Sequence, residues 1–119
     1  MNRQEHLVIG ILIFLPYFFL INSIFKSANY SFLYGIIATS VGSIIPDIFE
    51  APTSWLHRGI CHSKRALKIV SILFVITALV GLLSSIITSM SIFYLVSCFF
   101  LGYTFHLLAD ATTTVGLPD

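Results

Sequence analysis

Charge is what this chain of 119 residues has least of. Asp, Glu, Lys and Arg together make up 9% of it, against about 25% in an ordinary soluble domain. A water-facing surface cannot be assembled from so few ionisable side chains. Net charge is +1, and no basic stripe repeats along a helical period, so nothing here recommends nucleic acid as a partner. Cysteine is scarce too. Cys61 and Cys98 stand far apart, one in a polar stretch and one in an apolar run, and no C-x-x-C pair occurs. That removes a cysteine zinc knuckle and argues against a disulfide. Internal repeats and low-complexity segments are also missing.

What the chain does have is apolar length. Hydrophobic residues make up 57% of it, gathered into runs that a bilayer can accommodate. The expected fold is all-α, an integral membrane four-helix bundle forming a single domain over residues 1–119. The spans are expected at about 7–25, 31–46, 69–87 and 91–109, with a polar loop at 47–68. About 19 residues at roughly 1.5 Å rise cross the hydrocarbon core. Pro16 is expected to kink the first span, Pro46 to end the second, and Ser84, Ser85, Thr88, Ser89 and Ser91 to mark the last turn. The first run is too long for a signal-peptide core and is expected to be retained. Gly35, Ala38, Ser40, Gly42 and Ser43 give the second span a small-residue face, suited to close helix packing in lipid.

Lysine and arginine set the expected orientation. Arg3, Arg58, Lys64, Arg65 and Lys68 fall on one side of a four-span chain and Lys26 on the other, so both termini and the long loop are expected in the cytoplasm. The localisation that follows is the cytoplasmic membrane, multi-pass, with the lipid bilayer as the constant partner. A homo-oligomer is left open.

The ionisable residues fall at one end of this topology. His6 precedes the first span, Asp47 and Glu50 follow the second, His57 and His62 lie in the loop, and His106 and Asp110 end the fourth. His106 and Asp110, four apart, share one helix face. That spacing serves a shared metal or an interfacial hydrogen bond equally well. His57 and His62 sit five apart around Gly59, close enough to fold back on one ion, although a lone loop histidine is often only solvated. Imidazole and carboxylate are the donor types for zinc, manganese or iron. The expected site is therefore one or two divalent ions at the cytoplasmic face, held by His6, Asp47, His57, His62, His106 and Asp110. Glu50 is the candidate general base. Arg58 is the candidate phosphate binder through its bidentate fork, with headgroup anchoring as the alternative. Lys64, Arg65 and Lys68 read as lipid anchors. Ser63 reads as a helix cap or a support to the ligands rather than a nucleophile. Cys61 is a lesser candidate ligand.

Four segments carry a resemblance. They are Glu5-His6-Leu7-Val8-Ile9-Gly10, Gly42-Ser43-Ile44-Ile45-Pro46-Asp47-Ile48, His57-Arg58-Gly59-Ile60-Cys61-His62-Ser63 and Gly102-Tyr103-Thr104-Phe105-His106-Leu107-Leu108-Ala109-Asp110. In order and spacing the chain resembles the family of membrane-bound metal-dependent hydrolases, also described as LexA-binding, inner-membrane-associated hydrolases of the YdjM type. The resemblance implies a metal-dependent hydrolase. It departs from the family pattern at Phe49, where a second Asp is usual, and at Cys61, where Thr is usual. A fainter likeness to helical zinc-dependent phospholipase C is one of analogy only. The function expected is hydrolysis of a phosphoester in an amphiphilic, lipid-like substrate by metal-activated water. The alternative is a non-catalytic membrane scaffold or partner-binding protein, whose His/Asp cluster is a structural metal site or hydrogen-bonded staple.

Overall fold

The computed structural model describes residues 2–24, 30–49, 60–84, 92–113 and 116–117. Four α-helices, α1 (Arg3–Ile24), α2 (Tyr30–Phe49), α3 (Lys64–Ser84) and α4 (Ile92–Ala111), make up nearly all of it, with a single 3-10 turn at Ile60–His62. No strand occurs among the described residues. Each helix is long and apolar enough to cross a membrane, and the principal extents are 47 × 24 × 20 Å. The chain is an all-α, multi-pass membrane protein. α2 and α4 form the most extensive pair, α1 leans on both, and α3 packs chiefly against α4.

Its polarity is inverted relative to a soluble domain. Leu12, Phe19, Leu33, Leu79 and Leu83 are all more than half exposed, the surface that acyl chains require. Thr39, Ser43, Ser97, Thr104 and the ionisable residues of the site are buried instead. The interior hydroxyls are tolerable because most turn back on their own helices. Thr39 Oγ1 donates to the Gly35 carbonyl at 2.9 Å and Ser43 Oγ to the Ser40 carbonyl at 2.7 Å. Such back-bonding satisfies a polar group without a partner helix. Ser97 Oγ donates to the Tyr94 carbonyl at 2.6 Å, so the Tyr17 hydroxyl, also at 2.6 Å, donates to Ser97 and ties α1 to α4.

Small residues set the spacing of the central pair. A Cβ on Gly42 would run into the Phe99 backbone carbonyl, and one on Gly102 into the Thr39 carbonyl. The two backbones touch because neither glycine has a side chain, the arrangement lipid-embedded helices use when burial from water offers no drive.

Two expected boundaries differ. Pro46 does not end α2, which continues through it to Phe49. A proline there removes one i→i−4 bond, to the Gly42 carbonyl, and Pro46 itself is fully buried against the bundle. The polar loop is correspondingly shorter than 47–68: residues 47–49 are helical, and α3 already begins at Lys64. Its start is set by Ser63, whose Oγ accepts the Ala66 N–H at 3.0 Å as an N-cap. Pro16 lies inside the continuous α1.

Replacing Gly102 with Val should force α2 and α4 apart and destabilise the bundle by about 1–3 kcal/mol, the usual penalty of overpacking. A lower unfolding temperature in detergent, with helicity kept at room temperature, is the expected reading. An unchanged midpoint would show that the close approach carries no stability.

Candidate metal centre

Antiparallel neighbours bring the start of α1, the end of α2, the turn before α3 and the end of α4 to one end of the bundle. Each site residue is held there by local chemistry. At the start of α1 the Glu5 N–H donates to Asn2 Oδ1 at 2.9 Å, and the Asn2 N–H donates to the Glu5 carboxylate at 3.0 Å. This reciprocal capping box fixes the first turn and with it His6. Asp47 occupies the last turn of α2. His62 ends the 3-10 turn, pinned by the Ser63 cap on one side and by the Tyr103 hydroxyl, which donates to the Cys61 carbonyl at 3.1 Å. His106 and Asp110 stand one above the other on α4.

All five are buried: His6, Asp47, His62, His106 and Asp110 are each less than a tenth exposed. His106 Nδ1 donates to the Ser43 backbone carbonyl at 2.6 Å. A carbonyl only accepts, so Nδ1 carries the proton and Nε2 of the neutral ring turns a lone pair into the cluster. A ring nitrogen fixed by a carbonyl on its far side is the usual setting of a metal-ligating histidine.

The converging atoms form a small polyhedron. His62 Nε2 lies 3.1 Å from His106 Nε2, 3.2 Å from Asp47 Oδ1 and 3.8 Å from Asp110 Oδ2. His106 Nε2 lies 3.6 Å from Asp47 Oδ1 and 3.4 Å from Asp110 Oδ2. A tetrahedral ion with nitrogen and oxygen ligands at roughly 2.0–2.2 Å separates its ligands by about 3.3–3.6 Å. The observed edges bracket that range. Hydrogen bonds alone serve the same atoms poorly, since the one proton on His62 Nε2 cannot satisfy both Asp47 and His106. Two groups of three, His6 with Asp47 and His106, and His62 with His106 and Asp110, each have their donor atoms within 4.8 Å of one another. The donor set fits a divalent cation.

His6 is the fifth member. Its ring stacks on that of His106, centroids 3.7 Å apart. Nε2 lies 3.2 Å from Asp110 Oδ1 but without the alignment of a hydrogen bond, and neither ring nitrogen has a hydrogen-bond partner. Leaving a buried imidazole in that state costs about 1–3 kcal/mol per polar group. An additional ligand at Nε2 would remove part of that penalty.

The structure thus gathers His6, Asp47, His62, His106 and Asp110 from among the residues singled out by sequence. His57, Arg58 and Glu50 lie outside the described residues. Cys61 is half-buried, and its backbone carbonyl takes part in the support of the site. Three supports were not singled out from sequence. The Asn2-x-x-Glu5 capping box is a signal readable in the sequence. An aromatic in an apolar span reads as lipid-facing or core, so the Tyr103 hydroxyl carries no sequence signal of this role. The Ser43 carbonyl has no signal at all, since every residue carries one.

Fold and cluster together define a multi-pass helical membrane protein with a buried His/Asp centre at one end of its bundle. The YdjM inner membrane protein family model matches residues 1–118, and the chain belongs to that family. No curated protein and no solved structure matches it.

Tyr103→Phe removes the hydrogen bond from α4 to the Cys61 carbonyl beside His62. A net loss of about 0.5–1.5 kcal/mol is expected. Amide exchange over 60–62 should then speed up roughly three- to tenfold while α4 stays protected. Unaltered exchange in the turn would show that the Ser63 cap holds it alone.

Proposed function

We propose that the protein is a membrane-embedded metal-dependent hydrolase, most suited to a phosphoester in an amphiphilic substrate lying in the adjacent leaflet. The observation that supports it is the five-donor cluster, three imidazoles and two carboxylates, at metal-ligand spacing and at the end of a membrane bundle. His62, His106, Asp47 and Asp110 would hold the ion, with His6 as a fifth donor. A divalent ion there would acidify a bound water and so supply a nucleophile near neutral pH. Manganese and iron favour more than four ligands, so five protein donors leave them a place for that water. Asp47 and Asp110 offset the charge of a divalent ion, and the Ser43 carbonyl keeps His106 in the ligating tautomer. Arg58 is assigned to the substrate phosphate and Glu50 to proton abstraction, from sequence alone. Both termini and the site are assigned to the cytoplasmic side on the lysine and arginine distribution.

A second reading has its own support. The distances from His62 and His106 to each other and to Asp47 and Asp110, 3.1–3.8 Å, are close to the edges of a tetrahedral site, and a zinc ion with four protein ligands is structural rather than catalytic. In that case the protein is a scaffold stapled at one end.

The purified protein should carry zinc, manganese or iron near stoichiometrically. His62→Ala combined with His106→Ala should remove most of it, and occupancy should fall as the solution is acidified, because protonated imidazole cannot ligate. Elemental analysis of wild type and double variant decides this. Equal metal in both would reject the cluster as the binding site. Asp47→Asn and Asp110→Asn should abolish metal-dependent turnover on a panel of phospholipids, polyprenyl phosphates and aryl phosphates. Fully occupied zinc with four protein ligands and no coordinated water would favour the scaffold. Labelling of a cysteine at position 119 only from outside the cell would overturn the assigned orientation.

A further inference from the structure

The outer face of α3 carries a pattern that the metal centre does not use. Arg65 and Lys68 are exposed and three apart, so they lie on one side of the helix in its first two turns. Cations at a helix N-terminus oppose its dipole, and α3 has no acidic residue in its first turn to compensate. Helix stability therefore does not account for them. Below them the same side continues as Ile69, Ile72, Ile76 and Leu79, at alternating spacings of three and four. Each of these four is more than half exposed. From Ile69 to Leu79 is ten residues, about 15 Å at the helical rise, which is half of a hydrocarbon core roughly 30 Å thick. One face of one helix thus presents two cations at headgroup level and an apolar track as deep as one leaflet.

We propose that this face is a binding site for a single anionic phospholipid, its phosphate on Arg65 and Lys68 and an acyl chain along Ile69, Ile72, Ile76 and Leu79. The headgroup chemistry is that of a phosphate diester or monoester. Arginine supplies a bidentate fork for it and lysine a point charge. A free phosphate would use only the cations, whereas a lipid uses the track as well. The charge excludes preference for a zwitterionic lipid, whose own ammonium the two cations repel. His62 and Ser63 immediately precede α3, so the bound headgroup lies at the same end of the bundle as the His/Asp cluster. The lipid site stands whether or not that cluster hydrolyses anything, since its test reads binding alone.

Native mass spectrometry of the full chain released from detergent tests it, with phosphatidylglycerol and phosphatidylcholine of matched acyl chains as probes. Each lysine or arginine near a membrane surface adds about fivefold to attraction for anionic lipid, so retention of phosphatidylglycerol about tenfold or more above phosphatidylcholine is expected. Arg65→Gln with Lys68→Gln should cut that preference several-fold, Lys64 remaining, and leave phosphatidylcholine retention unchanged. The charge-preserving pair Arg65→Lys with Lys68→Arg should keep most of it, which separates charge from misfolding. Ile69→Ala with Ile72→Ala should weaken both lipids. Equal retention of the two lipids by the wild type, or an undiminished preference in the glutamine pair, would overturn the site. Displacement by glycerol phosphate at equal concentration would overturn it in favour of a soluble phosphate. A stable dimer that buries this face would assign it to a second copy of the chain instead.

Discussion

Everything at the buried end of this molecule depends on how closely α2 and α4 approach. Gly42 faces the Phe99 carbonyl and Gly102 the Thr39 carbonyl, with no room for a Cβ at either place. Only at that separation does His106, one turn beyond Gly102, reach the Ser43 carbonyl. The same approach carries Asp47, one turn beyond Ser43, alongside the His106 ring. Packing between two glycine-bearing helices is thus the structural cause of a chemical site. A soluble bundle would draw its helices together by excluding water, but lipid offers no such drive, and close contact of small residues supplies the attraction.

The second constraint is electrostatic. Two carboxylates and three imidazoles buried together in a low-dielectric end of a membrane protein require either shared protons or a cation. The 3.1–3.8 Å spacing of His62 and His106 from each other and from Asp47 and Asp110 matches ligands around an ion better than it matches a saturated hydrogen-bond network. His6 makes the imbalance visible, being buried without a hydrogen-bond partner on either ring nitrogen. A divalent cation would offset the two carboxylate charges and use the lone pairs that protons leave idle. In this respect the hydrolase and scaffold readings agree, and they part only over whether a position remains for water.

Support for the cluster comes from the ends of the helices rather than their middles. The Asn2–Glu5 box caps the start of α1, the Ser63 cap the start of α3, and the Tyr103 hydroxyl ties the turn before α3 to α4. Helix ends are where backbone groups lack intrahelical partners, so a site built there needs such ties more than one built in mid-span. Those ties are inexpensive individually, and together they bring residues from four separate segments into contact.

The sequence by itself determined the class of the molecule and the end of the bundle that carries its chemistry. Scarce charge and long apolar runs leave a chain no solvent but lipid, and an even number of crossings returns His6, Asp47, His62, His106 and Asp110 to one side. That much follows from counting, because transmembrane helices are read off length and hydropathy alone. Helix ends were less legible. Pro46 looked like a terminus, yet burial against the bundle keeps it helical, and tertiary packing outweighed local propensity there. Only the tertiary structure decided which donors meet at ligand distance, that the Ser43 carbonyl sets the His106 tautomer, and that His6 sits 3.2 Å from Asp110 without a hydrogen-bond partner on either ring nitrogen. These depend on the distance between helices and on ring orientations, which side-chain packing across segments far apart in the chain sets and no local pattern encodes.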